Sequence, residues 1–271
     1  MRARAFALLV LALVVESSVA QARPQRIASL NLCTDQLLLL LVEPQRIVSL
    51  SYWAVRPEAS YYVDRVPPGI QLNHGRAEEV LPQHPDLILA GQFTDGRMVE
   101  ALRRLGYPIE VVDVPTSLSQ AEAHIRAFGA LVGEPERAAH LIAAMQAREA
   151  QIRARRYRDA PLAVIYAANG VSAGGGTLMN EILDVVGLRN LAAELGMQGY
   201  GQLSLESLVA ARPDMLVLEW RSEQTDAVAQ GILHHPAMQA LARHARRVVL
   251  PPRLTVCVGP MVFDAMEQLL P

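Results

Sequence analysis

The chain has 271 residues, of which 51% are hydrophobic and 19% are charged, and its formal net charge is −2. This length and apolar content suffice for one large domain or two medium-sized domains with a sizeable core. The near-neutral balance, without a basic stripe, argues against nucleic acid as a partner.

Residues 1–22 predict a secretory signal peptide. Two arginines precede an apolar run, Ala5–Val15, and the small-residue pattern Ala20-Gln21-Ala22 follows it. The run has about 11 residues, short of the ~20 that a membrane-spanning helix needs. No cysteine follows closely enough to accept a lipid, so we expect cleavage after Ala22 and a mature protein free in the periplasm.

Strand and helix patterns alternate through residues 23–116, which we predict to form an N-terminal α/β lobe. Apolar runs predict strands at Arg26–Leu30, Arg46–Leu50, Asp86–Ala90 and Ile109–Asp113. Helical spacing predicts helices at Thr34–Val42, Arg76–Leu81 and Gly96–Leu105. Near-continuous apolar strands separated by helices indicate a largely parallel sheet covered on both faces.

Residues 117–158 carry helical patterns only, at Ser119–Val132 and from Pro135 to Tyr157. Proline suits the first turn of a helix, and arginines cluster where the second helix ends, which complements its dipole. At 1.5 Å per residue the second helix would span about 34 Å, roughly the width of a small domain. We therefore predict a strut between two α/β lobes.

The alternation resumes over residues 159–271, which we predict to form the C-terminal lobe. Strands are expected at Leu162–Ala167, Met215–Glu219 and Arg247–Leu250. Helices are expected at Leu178–Val186, Ser204–Ala210 and Pro236–Arg243, with a last one from Pro260. A glycine-rich loop, Ala168–Thr177, precedes the first of these helices.

The two predicted lobes share one sequence unit. Glu78 and Glu206 each lie seven residues before a Pro-Asp pair that introduces a buried strand. The unit occurs once in each lobe, so the lobes share a helix–turn–strand element.

In this order, the features resemble the periplasmic binding proteins of iron-siderophore and cobalamin ABC importers. The marks are Arg26–Leu30, the two Glu…Pro-Asp units, the long helix between them and the segment Gly174–Asn190. The resemblance implies a class III α/β fold: two parallel-sheet lobes joined by a single long backbone helix. It implies a monomer without a resident cofactor that captures a metal chelate and delivers it to an inner-membrane permease. It also implies that Glu78 and Glu206 dock with permease arginines.

Ligands of open α/β sheets bind at the carboxyl ends of the strands. The candidate ligand-binding residues follow predicted strands of both lobes: Asn31, Cys33, Tyr52, Trp53, Arg56, Gln92 and Phe93 in the first, and Gly175, Thr177, Trp220, Arg221 and Arg253 in the second. Tyr52, Trp53 and Trp220 are candidate walls for a flat ligand. The three arginines are candidate partners for acidic groups on it.

Cys33 and Cys257 could bridge the lobes, stay free or contact a metal chelate. A bridge would restrict separation of the lobes, so we favour unpaired cysteines. The ligand stays open among cobalamin, a ferric siderophore and haem.

Two other functions stay open. One is a periplasmic α/β hydrolase that uses the glycine-rich loop. The other is a receptor for free metal that uses His74, His84 and His234.

Overall fold

The computed structural model describes residues 23–219, 235–241 and 243–271. Within these residues, five parallel strands form a first sheet in the order β3-β2-β1-β4-β5. The strands are β1 (Ile27–Ser29), β2 (Ile47–Ser51), β3 (Gln71–Asn73), β4 (Leu87–Gly91) and β5 (Ile109–Val112). The helices of this first lobe are α1 (Leu32–Leu41), α2 (Ala77–Val80) and α3 (Gly96–Arg104).

Two helices lead out of the first lobe: α4 (Leu118–Leu131) and α5 (Pro135–Arg155). α5 has 21 residues and is therefore about 32 Å long. Pro135 occupies its first turn, and Arg153 and Arg155 lie in its last turn. The long connecting helix predicted from the sequence is confirmed.

The second lobe contains a sheet of four parallel strands, in the order β11-β10-β6-β8, among the described residues. They are β6 (Leu162–Tyr166), β8 (Arg189–Asn190), β10 (Met215–Glu219) and β11 (Arg246–Leu250). A short antiparallel pair joins β7 (Val171–Ala173) to β9 (Tyr200–Gln202). The helices are α6 (Leu178–Val185), α7 (Leu191–Glu194), α8 (Leu205–Ala211), α9 (Pro236–Leu241) and α10 (Met261–Leu269).

One hydrophobic cluster runs from the first sheet to the second. It holds Ile27 and Leu50 of the first sheet, Ile142 of α5, Ile165 of the second sheet and Phe263 of α10, all buried. The packing of α5 between the lobes therefore makes the two sheets parts of one continuous core.

The predicted repeat appears as one structural unit built twice. In each lobe a residue in the left-handed conformation, His84 (φ 47°) or Arg212 (φ 48°), precedes the Pro-Asp pair. The aspartate then accepts backbone N–H groups where the neighbouring strand begins. Asp86 accepts from Arg26 at 2.8 Å, and Asp214 accepts from Leu162 at 2.8 Å. The Pro-Asp pair thus fixes the start of an interior strand in each sheet, β1 or β6.

The glycine-rich segment predicted as a loop is partly a strand, which corrects the sequence interpretation. β7 forms inside it, and the N–H groups of Gly174 and Gly175 donate to the carbonyl oxygens of Gly199 and Met197 at 2.8 and 2.9 Å. A β-carbon on Gly174 would lie 2.2 Å from the Met197 carbonyl oxygen. Close approach of the chain's own backbone therefore requires glycine at this position.

The predicted signal peptide lies outside the described residues. In the part of the chain that the structure describes, no helix is both long enough and apolar enough to cross a membrane.

Candidate functional site

The carboxyl edges of the two sheets meet at a disulfide bond. Cys33 follows β1 and Cys257 follows β11, and their Cα atoms are 5.3 Å apart. The expectation that both cysteines stay unpaired is wrong. Cys33 was also a candidate contact for a chelated metal, but the bond removes the thiol that such a contact needs. The disulfide instead marks where the lobes face each other.

Side chains around the disulfide hold this edge of the first sheet in place. Asn31 caps α1 by accepting a hydrogen bond from the Cys33 N–H at 2.9 Å. Its side chain packs against Gly91 at the end of β4, where a β-carbon would lie 2.5 Å from Asn31 Nδ2. Asn31, a candidate ligand residue, therefore has a structural role in the first lobe.

Below this edge, Asp35 is fully buried and faces the end of β2. It accepts hydrogen bonds from the Ser51 N–H at 3.1 Å and from the Ser51 hydroxyl. Burial raises the pKa of the Asp35 carboxyl to about 7, although hydrogen bonds from Ser29 and Ser51 oppose the shift.

Four side chains gather at the carboxyl ends of β2 and β3, and we call them the aromatic cluster: Tyr52, Trp53, Arg56 and His74. The Tyr52 ring meets Trp53 edge-on at 5.7 Å and stacks on His74 at 5.1 Å. The Arg56 guanidinium lies 5.2 Å from the centre of the Tyr52 ring. Trp53 is 52% exposed, so the cluster presents a large apolar surface with a cation beside it.

His74 was missed as a member of this group by sequence reasoning. Its backbone N–H donates to Glu79 Oε2 at 2.5 Å, and its ring Nδ1 lies 3.1 Å from Glu79 Oε1. The hydrogen bond from the His74 backbone lowers the pKa of the Glu79 carboxyl. The strand β3 that places His74 beside Tyr52 has only three residues, too few for a periodic signal. The glutamate five residues after the histidine was the available clue.

Two further candidates follow β4. Phe93 is 82% exposed. Gln92 accepts a hydrogen bond from the Val114 N–H at 3.1 Å, which ties the end of β4 to the segment after β5. Both residues lie on the same carboxyl edge as the aromatic cluster.

The structure gives the candidate ligand-binding residues of the second lobe different surroundings. Gly175 is held in the backbone ladder described above. Thr177 is buried, donates to the Gly174 carbonyl oxygen at 2.8 Å and caps α6, so its hydroxyl is already used. Arg253 is exposed in a helical turn, Pro252–Leu254, close enough to Tyr61 of the first lobe for its charge to act on that phenol. Trp220 and Arg221 lie outside the described residues.

Glu78 and Glu206 occupy equivalent places in the two lobes. Each is exposed and lies in the first turn of a helix, α2 or α8, that leads into the Pro-Asp turn. Because such helices run antiparallel to the strands they introduce, both carboxylates lie on the carboxyl-edge side of their sheets.

Among the described residues, no group of three or more histidine, cysteine, aspartate or glutamate side chains could hold a metal ion. His234 lies outside those residues, whereas His84 serves in the turn before β4. Two concavities of about 440 and 640 Å³ lie away from the disulfide, one beside β5 and α4 and one among arginines at the end of α5. Neither is lined by a residue of the aromatic cluster.

Comparison with known proteins gives one family match and several relatives. The model of the periplasmic binding protein family matches residues 27–254. A cobalamin-binding protein of Halobacterium salinarum is 28% identical over 78% of this chain. The chain spans only 58% of the length of that relative.

Two further proteins are similar over most of this chain. The uncharacterized ABC transporter substrate-binding lipoprotein YvrC of Bacillus subtilis is 24% identical over 91% of this chain and 79% of its own length. The periplasmic heme-binding protein RhuT of Roseiflexus sp. RS-1, in its apo form, superposes with a TM-score of 0.74. It is 25% identical to this chain, over 90% of this chain and 96% of the RhuT chain.

Proposed function

The chain belongs to the periplasmic binding protein family, and on that premise we propose that it is the solute-binding component of an ABC importer. The fold predicted from the sequence, class III with two parallel-sheet lobes joined by one long helix, is confirmed. The observation that carries the proposal is the aromatic cluster on the carboxyl edge of the first lobe, beside the disulfide at which the second lobe meets it.

The proposed ligand is a metal chelate: a corrinoid such as cobalamin, a ferric siderophore or haem. One relative is described as cobalamin-binding and one structural neighbour as heme-binding. An exposed tryptophan and a stacked tyrosine suit a broad, flat ligand, and Arg56 and Arg253 can meet its acidic groups.

We propose binding and not catalysis for this site. A cysteine nucleophile needs a free thiolate, and both cysteines are joined in the disulfide. The glycine-rich segment, on which a hydrolase would depend, is occupied by pairing with residues 197–199.

For the mature chain we propose residues 23–116 as the first lobe, 117–158 as the linking segment and 159–271 as the second lobe, after removal of the signal peptide. The periplasmic character of the family supports this assignment. Mass spectrometry of the monomeric protein from a periplasmic fraction should find Arg23 as the first residue. A chain that retains residues 1–22 would contradict it.

Docking on the permease is proposed for Glu78 and Glu206. Two exposed carboxylates, one on each lobe, form a pair whose spacing depends on how the lobes are arranged. An arginine of the partner could donate two hydrogen bonds to each carboxylate. Uptake would then depend on both residues together.

We expect Glu78→Ala combined with Glu206→Ala to abolish uptake of the chelate by cells and to leave its affinity for the purified protein unchanged. The matched control replaces two other exposed glutamates, Glu100 and Glu136, by alanine and should transport normally. Normal uptake with the first double variant would refute the docking assignment.

A further inference from the structure

We propose that the free edge of β5, together with the groove between β5 and α4, binds an extended basic segment of a partner protein. The segment adds to the first sheet as a further strand, so that main-chain hydrogen bonds supply affinity and the groove supplies specificity. This inference does not depend on the chelate. The aromatic cluster follows β2 and β3, and both β1 and β4 lie between those strands and β5.

The outer side of β5 carries main-chain groups without partners. On the inner side, the Gln92 N–H just after β4 donates to the Val112 carbonyl oxygen at 3.1 Å. Main-chain groups of successive residues point to opposite sides of a strand, so those of Val111 point away from β4. Among the described residues, no hydrogen bond engages them, and Val111 is 40% exposed. An uncovered edge of this kind is a template for pairing with another chain.

A groove of about 440 Å³ runs along this edge. One wall is the continuous segment of residues 110–115, and the other is one face of α4, whose lining residues recur every three or four positions. Val112, Phe128 and Leu131 give the groove an apolar surface. A strand paired with Val111 would place every second side chain in this groove, because the side chains of a strand alternate between its two faces.

His124 contributes an unsatisfied polar atom to the wall of the groove. Its Nε2 is buried and has no hydrogen-bond partner in the described part of the chain, and its ring meets Phe128 edge-on at 6.5 Å. Buried polar groups of folded proteins nearly always have a partner. We therefore expect a polar group of the bound segment to supply the partner of Nε2.

The charge of the groove selects a basic segment. Glu110 and Asp113 are exposed on its β5 wall, and no arginine is among the described residues that line it. Burial lowers the pKa of the His124 imidazole, although Asp113 opposes the shift, so the ring is neutral at pH 7. A second copy of this chain is disfavoured as the occupant, because pairing of two β5 strands would bring the carboxylates of both copies together.

The test follows the fluorescence anisotropy of labelled peptides titrated with the mature protein at low salt. The probe is a short peptide that alternates valine with lysine or arginine, and its control carries glutamate in place of the basic residues. We expect saturable binding of the basic peptide and about tenfold weaker binding of the acidic one.

Methylation of alternate backbone nitrogens of the basic peptide tests strand addition directly and requires no protein variant. Only one of the two alternate sets of N–H groups faces β5 in a paired strand. Methylation of that set should abolish binding, and methylation of the other set should leave it unchanged.

Val111→Pro should weaken binding of the basic peptide about tenfold or more and keep the fold and the chelate affinity, since proline is tolerated where an edge N–H faces solvent. The matched control is Val249→Pro in β11, at the edge of the second sheet among the described residues. Val249 is exposed to a similar degree. Because the Arg246 N–H donates to the Asp214 carbonyl oxygen, the N–H of Val249 also points outward. This control should bind the peptide as the wild type does.

His124→Leu keeps an apolar side chain in the groove but removes the orphan nitrogen. It should bind the basic peptide about fivefold more weakly, as expected for the loss of one hydrogen bond. Glu122→Gln, on the same helix but outside the groove, should bind as the wild type.

Several results would overturn the proposal. They are no binding of the basic peptide by the wild type, the same result for both methylated peptides, and unchanged binding by Val111→Pro. A wild-type dimer that Val111→Pro dissociates would overturn it as well, because the edge would then serve a second copy. Chelate capture is measured separately and stands or fails independently of these results.

Discussion

The side-chain carboxyl group of Asp35 is buried below the C-terminal ends of β1 and β2, directly under the candidate site. Burial favours its neutral form and raises its pKa to about 7, from the 3.8 that is usual for aspartate. Between these values the unfolded chain releases the proton and the folded chain keeps it. Folding stability therefore decreases as pH rises from about 4 to about 7.

We expect the free energy of unfolding of the wild-type protein to fall over that window by up to about 4 kcal/mol. Asp35→Asn can still accept the Ser51 N–H and should lack this fall. Asp64→Asn, at an exposed position, should behave as the wild type. Urea unfolding at several pH values measures the difference, and parallel curves for the wild type and Asp35→Asn would refute the assignment.

At the residue scale, sequence reasoning succeeded where a local pattern carried the information. The Pro-Asp pairs at Asp86 and Asp214 mark strand starts because a short acidic side chain can accept the N–H groups of the neighbouring strand. Sequence reasoning failed where two contacting side chains follow different strands. His74 and Tyr52 follow β3 and β2, and only the register between these strands brings their rings together.

A buried ion pair connects the turn between α4 and α5 to the first sheet. Arg46, just before β2, lies 2.6 Å from Glu134 in the turn between the two helices, and both side chains are less than 10% exposed. Arg46 also donates to the carbonyl oxygens of Val132 and Pro24. Loss of the carboxylate would leave a buried guanidinium without its counter-charge.

Glu134→Gln should therefore lower the free energy of unfolding by about 3 kcal/mol. Glu136→Gln, two residues away and exposed, should change it by less than about 0.5 kcal/mol. Chemical denaturation of the two variants provides the comparison. A loss below about 1 kcal/mol in Glu134→Gln would show that the pair does not hold this junction.

At the element scale, a continuous apolar or periodic run of residues decided whether an element could be predicted. α5 and the apolar strands such as β10 have enough residues for a periodic or continuous apolar signal. β3, β7 and β9 have three residues each and form only because a neighbouring strand pairs with them. The glycine run before α6 is approached closely by the chain's own backbone, at Met197.

For the whole molecule, the disulfide changes how the lobes are connected. It joins residues 224 positions apart. The lobes are therefore linked covalently in two ways, by the disulfide at the strand edges and by the main chain through α5. Polar contacts of α10 add further connections between the lobes. Asp264 of α10 accepts hydrogen bonds from Arg148 of α5 at 2.7 Å and from the Tyr61 hydroxyl of the first lobe.

Cys33→Ala with Cys257→Ala should keep the fold but lower the free energy of unfolding by about 2–5 kcal/mol, since the bond restricts a long loop of the unfolded chain. Denaturation with and without a reductant provides the measurement. Reduced wild-type protein should match the double variant, which should itself not respond to reductant. Equal stability of oxidised wild-type protein and the double variant would contradict this role.

Two cysteines in a predicted periplasmic protein can form a disulfide, but the sequence alone could not show that Cys33 and Cys257 lie close enough to pair. A bridge would restrict the two lobes only if they were fully separable units. The structure instead shows one core that is continuous through both sheets, in which a bridge at the carboxyl edges is compatible with the fold.

Calorimetric titration of the mature protein with cyanocobalamin, haemin and a ferric siderophore tests chelate capture at the aromatic cluster most directly. We predict one equivalent bound per chain for at least one of these chelates, and at least tenfold weaker binding after Tyr52→Ala with Trp53→Ala. Leu105→Ala, at the C-terminal end of α3 and 64% exposed, should bind as the wild type. No binding of any chelate, or binding that survives loss of both aromatic side chains unchanged, would contradict the account.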